Sequence, residues 1–187
     1  VDGLASGLIF LSCMTLTFIY LEREIVEASF LAVILSGSVL GFFIFNFPPA
    51  KIILGDTGSL PLGLLVALIT LLPLNQNFAD EIYYLIPIIT LLYPILDTTF
   101  AFFRRLMKGI SPFSQDTKHF HHRLSSLGFS PLKSISILFI ICFYFDLTAL
   151  IPTHNINLIP NFIPIYFIFV ATNIIIFLAL LKRLENK

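Results

Sequence analysis

Residues 28–47 read ASFLAVILSGSVLGFFIFNF, twenty consecutive positions without a charged side chain. A helix needs about 20 mostly apolar residues to cross the hydrocarbon core of a bilayer. A helix also satisfies its own backbone hydrogen bonds, as lipid demands, and the stretch lacks the alternating polarity of a membrane barrel strand. The sequence therefore predicts a transmembrane helix here.

The composition extends this prediction to the whole chain. Hydrophobic residues make up 57% of the 187 residues, charged residues only 12%, and the mean hydropathy is +0.95. A soluble domain carries about 25% charged residues, so a soluble fold is excluded. We expect one all-α transmembrane domain over residues 1–187, a polytopic helix bundle in the lipid bilayer. Its six predicted spans are 3–21, 28–47, 59–74, 82–103, 132–151 and 158–181.

The cations predict the orientation of this bundle. The formal net charge is zero, so the composition indicates no nucleic-acid partner. Ten of the 11 lysines and arginines nevertheless fall on the same side of the six spans, and Arg23 alone falls on the other. The positive-inside rule makes the basic side cytoplasmic. That side holds the N-terminus, the loops 48–58 and 104–131, and the tail.

Three other features carry little functional information. Cys13 and Cys142 lie inside apolar blocks, where small buried hydrophobes are expected. Asp146 lies inside the fifth span, apart from the other polar clusters, and is assigned no role. The chain opens at Val1-Asp2-Gly3 without the features of a signal peptide, and we expect it to continue a longer protein.

The first candidate cluster lies in the loop 48–58. Gly55 and Gly58 flank Asp56, and hydroxyl residues follow just before a predicted helix. Glycine lets a backbone approach a ligand closely, and a helix N-terminus presents free N–H groups to phosphate. Asp56 offers the hard oxygen ligand that Mg²⁺ shares with substrate phosphates. The alternative is a tight turn with Thr57 or Ser59 as helix cap.

The second cluster lies in the loop 104–131, where the sequence KHFHHRL spans residues 118–124. Three histidines beside several cations could bind zinc, hold phosphate oxygens, or act as general acid and base. The alternative is a basic helix at the membrane surface, with Phe113, Phe120 and Leu124 facing lipid. Such a helix requires lysine and arginine but no histidine, which favours a functional site.

The third candidate is Asp97, two turns inside the fourth predicted span. An ionisable residue at membrane depth marks a functional site by default because its burial is costly. The alternative is a structural carboxylate that caps a helix or pairs with Arg104 or Arg105.

These segments together resemble one enzyme family, the polyprenyl-phosphate N-acetylhexosamine-1-phosphate transferases. Residues 46–60 are similar to the family's aspartate-centred loop in order and spacing, and residues 104–124 to its His-x-His-His loop. Residues 1–7 resemble the closing half of its Asp-Gly-x-Asp-Gly-Leu-Ala segment, and Asp97 also has a counterpart. The form of the histidine motif is more similar to the N-acetylglucosaminyl-1-phosphate and teichoic-type branch than to the phospho-MurNAc-pentapeptide branch.

The resemblance implies an enzyme of the bacterial inner membrane. It would transfer a sugar-1-phosphate from a UDP-sugar to undecaprenyl phosphate, release UMP and initiate a cell-envelope glycan, with Mg²⁺, or Mn²⁺ in its place, on the diphosphate. A homodimer is compatible with it. The implied catalytic residues are Asp56, which also binds the metal, and His119, His121 and His122. The implied substrate contacts are Asn46, Lys51, Arg123, Asp2, Asp97 and Asp116.

Two departures from the family pattern shape the expectation for this chain. The family's Asp-Asp-x-x-Asp loop is absent from the sequence, and Ile53 stands where the family usually has an aromatic residue. We therefore expect the chain alone to be inactive and a longer parent protein to be the enzyme. Two other classes remain open, a transporter or channel segment with Asp97 and Asp146 on an ion path, and a non-catalytic remnant that binds partner helices.

Overall fold

The computed structural model describes residues 2–75, 82–107, 109, 111, 120–155, 166, 168–172, 174–175 and 179, apart from the side chains of 74–75, 82–84, 121–123 and 152–155. Every element among these residues is helical, which confirms the all-α membrane fold. The elements are α1 (Leu4–Glu22), α2 (Val26–Asn46), α3 (Gly55–Leu71), a 3₁₀ turn (Leu72–Asn75), α4 (Ile82–Thr90), α5 (Leu92–Met107), α6 (Phe120–Ser126) and α7 (Pro131–Asn155).

Three of these helices are long and apolar enough to cross a membrane: α1, α2 and the part of α7 from Pro131 to Ile151. They match the first, second and fifth predicted spans within a few residues. The third span begins earlier than predicted, at Gly55 rather than at residue 59, so that Asp56 lies in the first turn of α3. A carboxylate is favourable there because the helix dipole is positive at its N-terminus. The sixth predicted span lies mostly outside the described residues, so the six-span arrangement remains a prediction.

Helix α1 lies at the centre of the bundle, and it packs most extensively against α2 and next against α7. The face that α2 buries is rich in small residues, Ala28, Ser29, Ala32 and Ser36. Small side chains let two helix backbones approach closely, which is how helices associate in lipid.

Helices α1 and α7 run in the same direction. Gly7 lies beside Phe139, and further along both helices the Ser12 hydroxyl lies 4.0 Å from the Cys142 sulfur. A Cβ atom on Gly7 would lie 2.7 Å from Cε1 of Phe139 and closer still to its Cζ. The Phe139 ring therefore occupies the space that the missing side chain of Gly7 leaves.

The predicted fourth span, 82–103, is not one helix. It is divided at Leu91 into α4 and α5. Pro94 explains the break, because proline has no N–H to donate to the carbonyl four residues earlier, that of Thr90. The Ser12 hydroxyl of α1 donates to the Thr90 carbonyl instead, at 3.0 Å. This bond satisfies a buried backbone acceptor that would otherwise be costly in lipid.

Asn46, the last residue of α2, connects three segments at one end of the bundle. Its Oδ1 accepts hydrogen bonds from the Gly3 N–H at 2.9 Å and from the Ser6 hydroxyl at 3.0 Å. Its Nδ2 donates to the Ile52 carbonyl at 2.8 Å. The side chain is only 6% exposed. A single amide thus fixes the start of α1 and the loop before α3 against the end of α2.

Gly7→Ala is expected to destabilise the protein in detergent by about 1–3 kcal/mol, the usual effect of overpacking a filled site. The matched control is Gly41→Ala on α2, where an added Cβ would meet no described atom within 4 Å. Thermal unfolding followed by circular dichroism measures both. Adding Phe139→Leu to Gly7→Ala should restore part of the loss, and equal shifts for Gly7→Ala and Gly41→Ala would contradict the packing described here.

Asn46→Asp should separate the two roles of the amide. The carboxylate retains an acceptor for Gly3 but has no donor for the Ile52 carbonyl, and an unsatisfied buried partner costs about 1–3 kcal/mol. Hydrogen exchange should accelerate at the Lys51 amide, which donates to the Phe45 carbonyl at 2.8 Å, and remain slow at Gly7. Ser38→Ala, an exposed position on α2, is the control, and equal acceleration at Lys51 and Gly7 in Asn46→Asp would argue against separate roles.

Candidate active site

The two sequence motifs lie at the same end of the bundle. The loop before α3 is held there by Asn46, which also binds the start of α1. Helix α6, which contains His121 and His122, contributes Phe120 and Leu124 to the buried cluster that includes Leu4 and Leu8 from the first two turns of α1. The start of α1 is therefore the common support of both motifs.

The carboxylate of Asp56 is exposed at this end, and so is Lys51 in the preceding loop. Gly55 adopts φ 60°, a left-handed conformation that glycine enters without strain. A Cβ on Gly58 would lie 2.5 Å from Cδ1 of Leu54, so the first turn of α3 closes tightly over the loop. Within the described residues no side chain caps α3, and Thr57 and Ser59 lie inside the helix. The alternative of a capping role for them is therefore wrong.

Helix α6 packs against the bundle through its apolar residues. Phe120 is 4% exposed and Leu124 is 8% exposed. The Phe120 ring lies 6.1 Å from that of Tyr93 and 6.2 Å from that of Phe100. The prediction that Phe120 and Leu124 face lipid is therefore wrong, because both residues pack on protein, while Phe113 lies outside the described residues.

A glycine turn ends α6. Gly128 adopts φ 87°, the Phe129 N–H donates to the Leu124 carbonyl at 3.2 Å, and the Gly128 N–H donates to the Ser125 carbonyl at 3.0 Å. These two bonds form a Schellman motif, which requires a left-handed residue and so favours glycine. The chain then enters α7, where the Ser130 carbonyl accepts from the Ser134 N–H at 2.9 Å.

Asp97 lies on α5 directly against the start of α6. Its Oδ1 accepts a hydrogen bond from the Phe120 N–H at 3.2 Å, and the residue is half-buried. The structural alternative for Asp97, a carboxylate that caps a helix, is therefore observed, although the capped helix is α6 rather than its own.

The predicted site is only partly within the described structure. Asp2 is exposed beside Gly3, and Asn46 is buried. His119, Asp116 and the side chains of His121, His122 and Arg123 lie outside the described residues, and with them the distance from the Asp56 carboxylate to the imidazole rings. Among the described side chains, no three His, Cys, Asp or Glu form a metal cluster. The roles assigned to these residues stay predictions.

Among the residues that hold the motifs in place, sequence reasoning missed Ser6 and Gly128, and it gave Asn46, Phe120 and Leu124 other roles. Ser6, which shares the Asn46 acceptor, gave no signal in the sequence. Phe120, Leu124 and Gly128 did give one, since two apolar residues four apart followed by glycine indicate a short helix with a glycine cap.

Comparisons with known proteins agree with the motifs. The sequence model of glycosyl transferase family 4 matches residues 1–73. The probable undecaprenyl-phosphate N-acetylglucosaminyl 1-phosphate transferase of Bacillus subtilis is 39% identical over 150 residues, which cover 80% of this chain and 42% of that protein. The decaprenyl-phosphate N-acetylglucosaminephosphotransferase of Mycobacterium leprae is 33% identical over 157 residues, 74% of this chain and 39% of that protein.

The phospho-N-acetylmuramoyl-pentapeptide-transferase of Thermotoga petrophila is also similar, at 34% identity over 137 residues, 73% of this chain and 42% of that protein. The matched part of the chain thus spans less than half the length of these relatives. All three relatives are phosphosugar transferases, in agreement with the resemblance of the two loop motifs. The chain belongs to the membrane-embedded polyprenyl-phosphate sugar-1-phosphate transferases of glycosyl transferase family 4.

Proposed function

We propose that the protein containing this chain transfers N-acetylhexosamine-1-phosphate from a UDP-sugar to undecaprenyl phosphate, releases UMP and so initiates a cell-envelope glycan. The observation that carries the proposal is the common support of the two motifs by α1, because a transferase needs its donor and acceptor phosphates at one place. The B. subtilis relative, 39% identical, carries this acceptor and sugar in its name.

The reaction is proposed for the cytoplasmic face of the bacterial inner membrane. Lys51 lies in the loop before α3, and α5 has Arg104 and Arg105 in its last turn, at the end that holds the motifs. Glu22, Glu24 and the connection between α1 and α2 lie at the opposite end. By the positive-inside rule, this distribution of charge supports a cytoplasmic position for the motifs, on the side of the membrane where the soluble nucleotide sugar is available.

The described residues fit an Mg²⁺ ion that is shared with substrate. Mg²⁺ is usually held by one or two carboxylates together with substrate phosphates and water. Asp56 offers one exposed carboxylate in the first turn of α3, with Thr57 and Ser59 exposed beside it. Asp56 would hold the ion, whose chemistry is to neutralise charge on the diphosphate oxygens.

The step proposed for this site is an in-line displacement at phosphorus. A phosphate oxygen of the lipid forms a bond to the phosphorus next to the sugar, the bond from that phosphorus to the bridging oxygen breaks, and UMP leaves with that oxygen. The protein's own task is positioning and charge neutralisation. His119, His121, His122 and Arg123 would hold the diphosphate oxygens, Lys51 and Asp2 would face the donor, and Asp116 would add a second-tier contact. Asn46, which is buried and bonded to Gly3, Ser6 and Ile52, would act by fixing the loop that carries Lys51.

Asp56→Asn should lower UMP release from UDP-N-acetylglucosamine and undecaprenyl phosphate by roughly 10²–10³-fold, because a metal ligand contributes several kcal/mol to the transition state. The assay uses the protein expressed from its complete reading frame, in lipid nanodiscs. Glu27→Gln is the control, since Glu27 is exposed at the opposite end of α2. Equal activity of Asp56→Asn and Glu27→Gln would overturn the assignment.

Mn²⁺ binding tests the metal role of Asp56 separately from activity. In the presence of the UDP-sugar, the electron paramagnetic resonance signal of free Mn²⁺ should decrease with the wild-type protein and with Glu27→Gln. It should remain close to that of buffer with Asp56→Asn, because the variant lacks the proposed carboxylate ligand. Full Mn²⁺ binding by Asp56→Asn would remove the metal from this residue.

A further inference from the structure

We infer that Asp97 is a positioning residue for the histidine-bearing helix α6 and does not contact substrate. The inference rests on the proposed function for its catalytic consequence, although its structural part stands alone. The sequence alone leaves the role of Asp97 open, since a carboxylate near a phosphate site could equally bind the metal or the substrate.

The argument begins with the length of α6. It has seven residues, whereas isolated helices shorter than about 12–15 residues are marginal in water. Contacts with the rest of the bundle must therefore fix both its formation and its place. The described structure supplies such contacts at the start, along one face and at the end of the helix.

Asp97 supplies the contact at the start. Its Oδ1 accepts the Phe120 N–H at 3.2 Å, one of the first-turn N–H groups that have no partner inside a helix. A carboxylate is a good acceptor there, since it also interacts with the positive end of the helix dipole. Because Asp97 is on α5, the bond also fixes the start of α6 relative to α5.

Ring contacts hold Phe120 at the same place as the Asp97 bond does. The Phe120 ring packs against Tyr93 and Phe100, which lie four residues before and three residues after Asp97 on the chain. A backbone bond and a ring contact thus hold the same residue against the same part of α5. His121 and His122 follow Phe120 directly in the chain, so a displacement of Phe120 displaces both.

A displaced α6 should lower the rate of transfer, because the proposed catalytic histidines would move away from the reacting atoms. A misplacement of about 1 Å at a reacting site can lower a rate by about 100-fold. Removing the acceptor at position 97 should therefore impair transfer even though the carboxylate contacts no substrate. An isosteric amide should largely preserve it, because asparagine retains a carbonyl oxygen at the same place.

The test compares Asp97→Asn with Asp97→Ala, and uses Thr98→Ala as the matched control. The Thr98 hydroxyl donates only within its own helix, to the carbonyls of Pro94 and Ile95. Hydrogen exchange of residues 120–126 should accelerate by about tenfold or more in Asp97→Ala and change little in Asp97→Asn and Thr98→Ala. Exchange of α1 reports whether each variant is folded.

Transfer activity is measured on the same variants. Asp97→Ala should lose about 10- to 100-fold, and Asp97→Asn should remain within about threefold of the wild type. Gly128→Ala, which strains the other end of α6 at φ 87°, should reproduce the faster exchange and lower activity with the carboxylate intact. If Asp97→Ala does not fold, Asp97→Asn is compared with Gly128→Ala. Near wild-type exchange and activity in Asp97→Asn beside losses in Gly128→Ala support the positioning role, and lower activity in Asp97→Asn with unchanged exchange overturns it.

The exchange and activity results together decide between a positioning role and a ligand contact for Asp97. Unchanged exchange of 120–126 in Asp97→Ala overturns the positioning role. Equal loss of activity in Asp97→Asn and Asp97→Ala also overturns it, and indicates that the charge of Asp97 acts on a ligand. If the wild type shows no transfer, the proposed function fails, and the exchange data still decide whether Asp97 holds α6.

Discussion

The hydrogen bonds of the Asn46 side chain are the contacts on which the functional end of the bundle depends. They join the start of α1, the end of α2 and the loop that leads to Asp56. In a soluble protein, water molecules at the surface could satisfy the same backbone groups. Here the Asn46 residue is 6% exposed, so water offers its amide few alternative partners and the amide fixes the geometry of the three segments.

Helix α6 is likewise held by a small number of specific contacts. Helix α6 is too short to be stable by itself. Its position is fixed by a carboxylate on α5, two buried side chains and a glycine turn. The described contacts that hold α6 in place are thus made by Asp97, Phe120, Leu124 and Gly128 and not by the histidines of the motif. Asp97 illustrates that a carboxylate on a helix of the bundle can have a structural partner, here the Phe120 N–H.

The sequence predicted well what depends on hydropathy and on motif order. The apolar stretches of α1, α2 and α7, the helical class and the family all follow from them. It predicted poorly what depends on single hydrogen bonds. The break at Leu91 needed the recognition that Pro94 leaves the Thr90 carbonyl without a donor, and the structural role of Asn46 needed its partners 40 and 43 residues earlier in the chain. Neither is visible to a hydropathy average.

The hydrogen bond between Ser12 of α1 and the Thr90 carbonyl of α4 matters more to α4 than to α1. Ser12 without a proline at position 94 would be harmless, since a helical serine can turn its hydroxyl to a carbonyl of its own preceding turn. Pro94 without a hydroxyl at position 12 would leave a bare carbonyl in the middle of the bundle. Pro94 therefore depends energetically on Ser12, whereas Ser12 does not depend on Pro94. The break between α4 and α5 is in this sense stabilised by a side chain of α1.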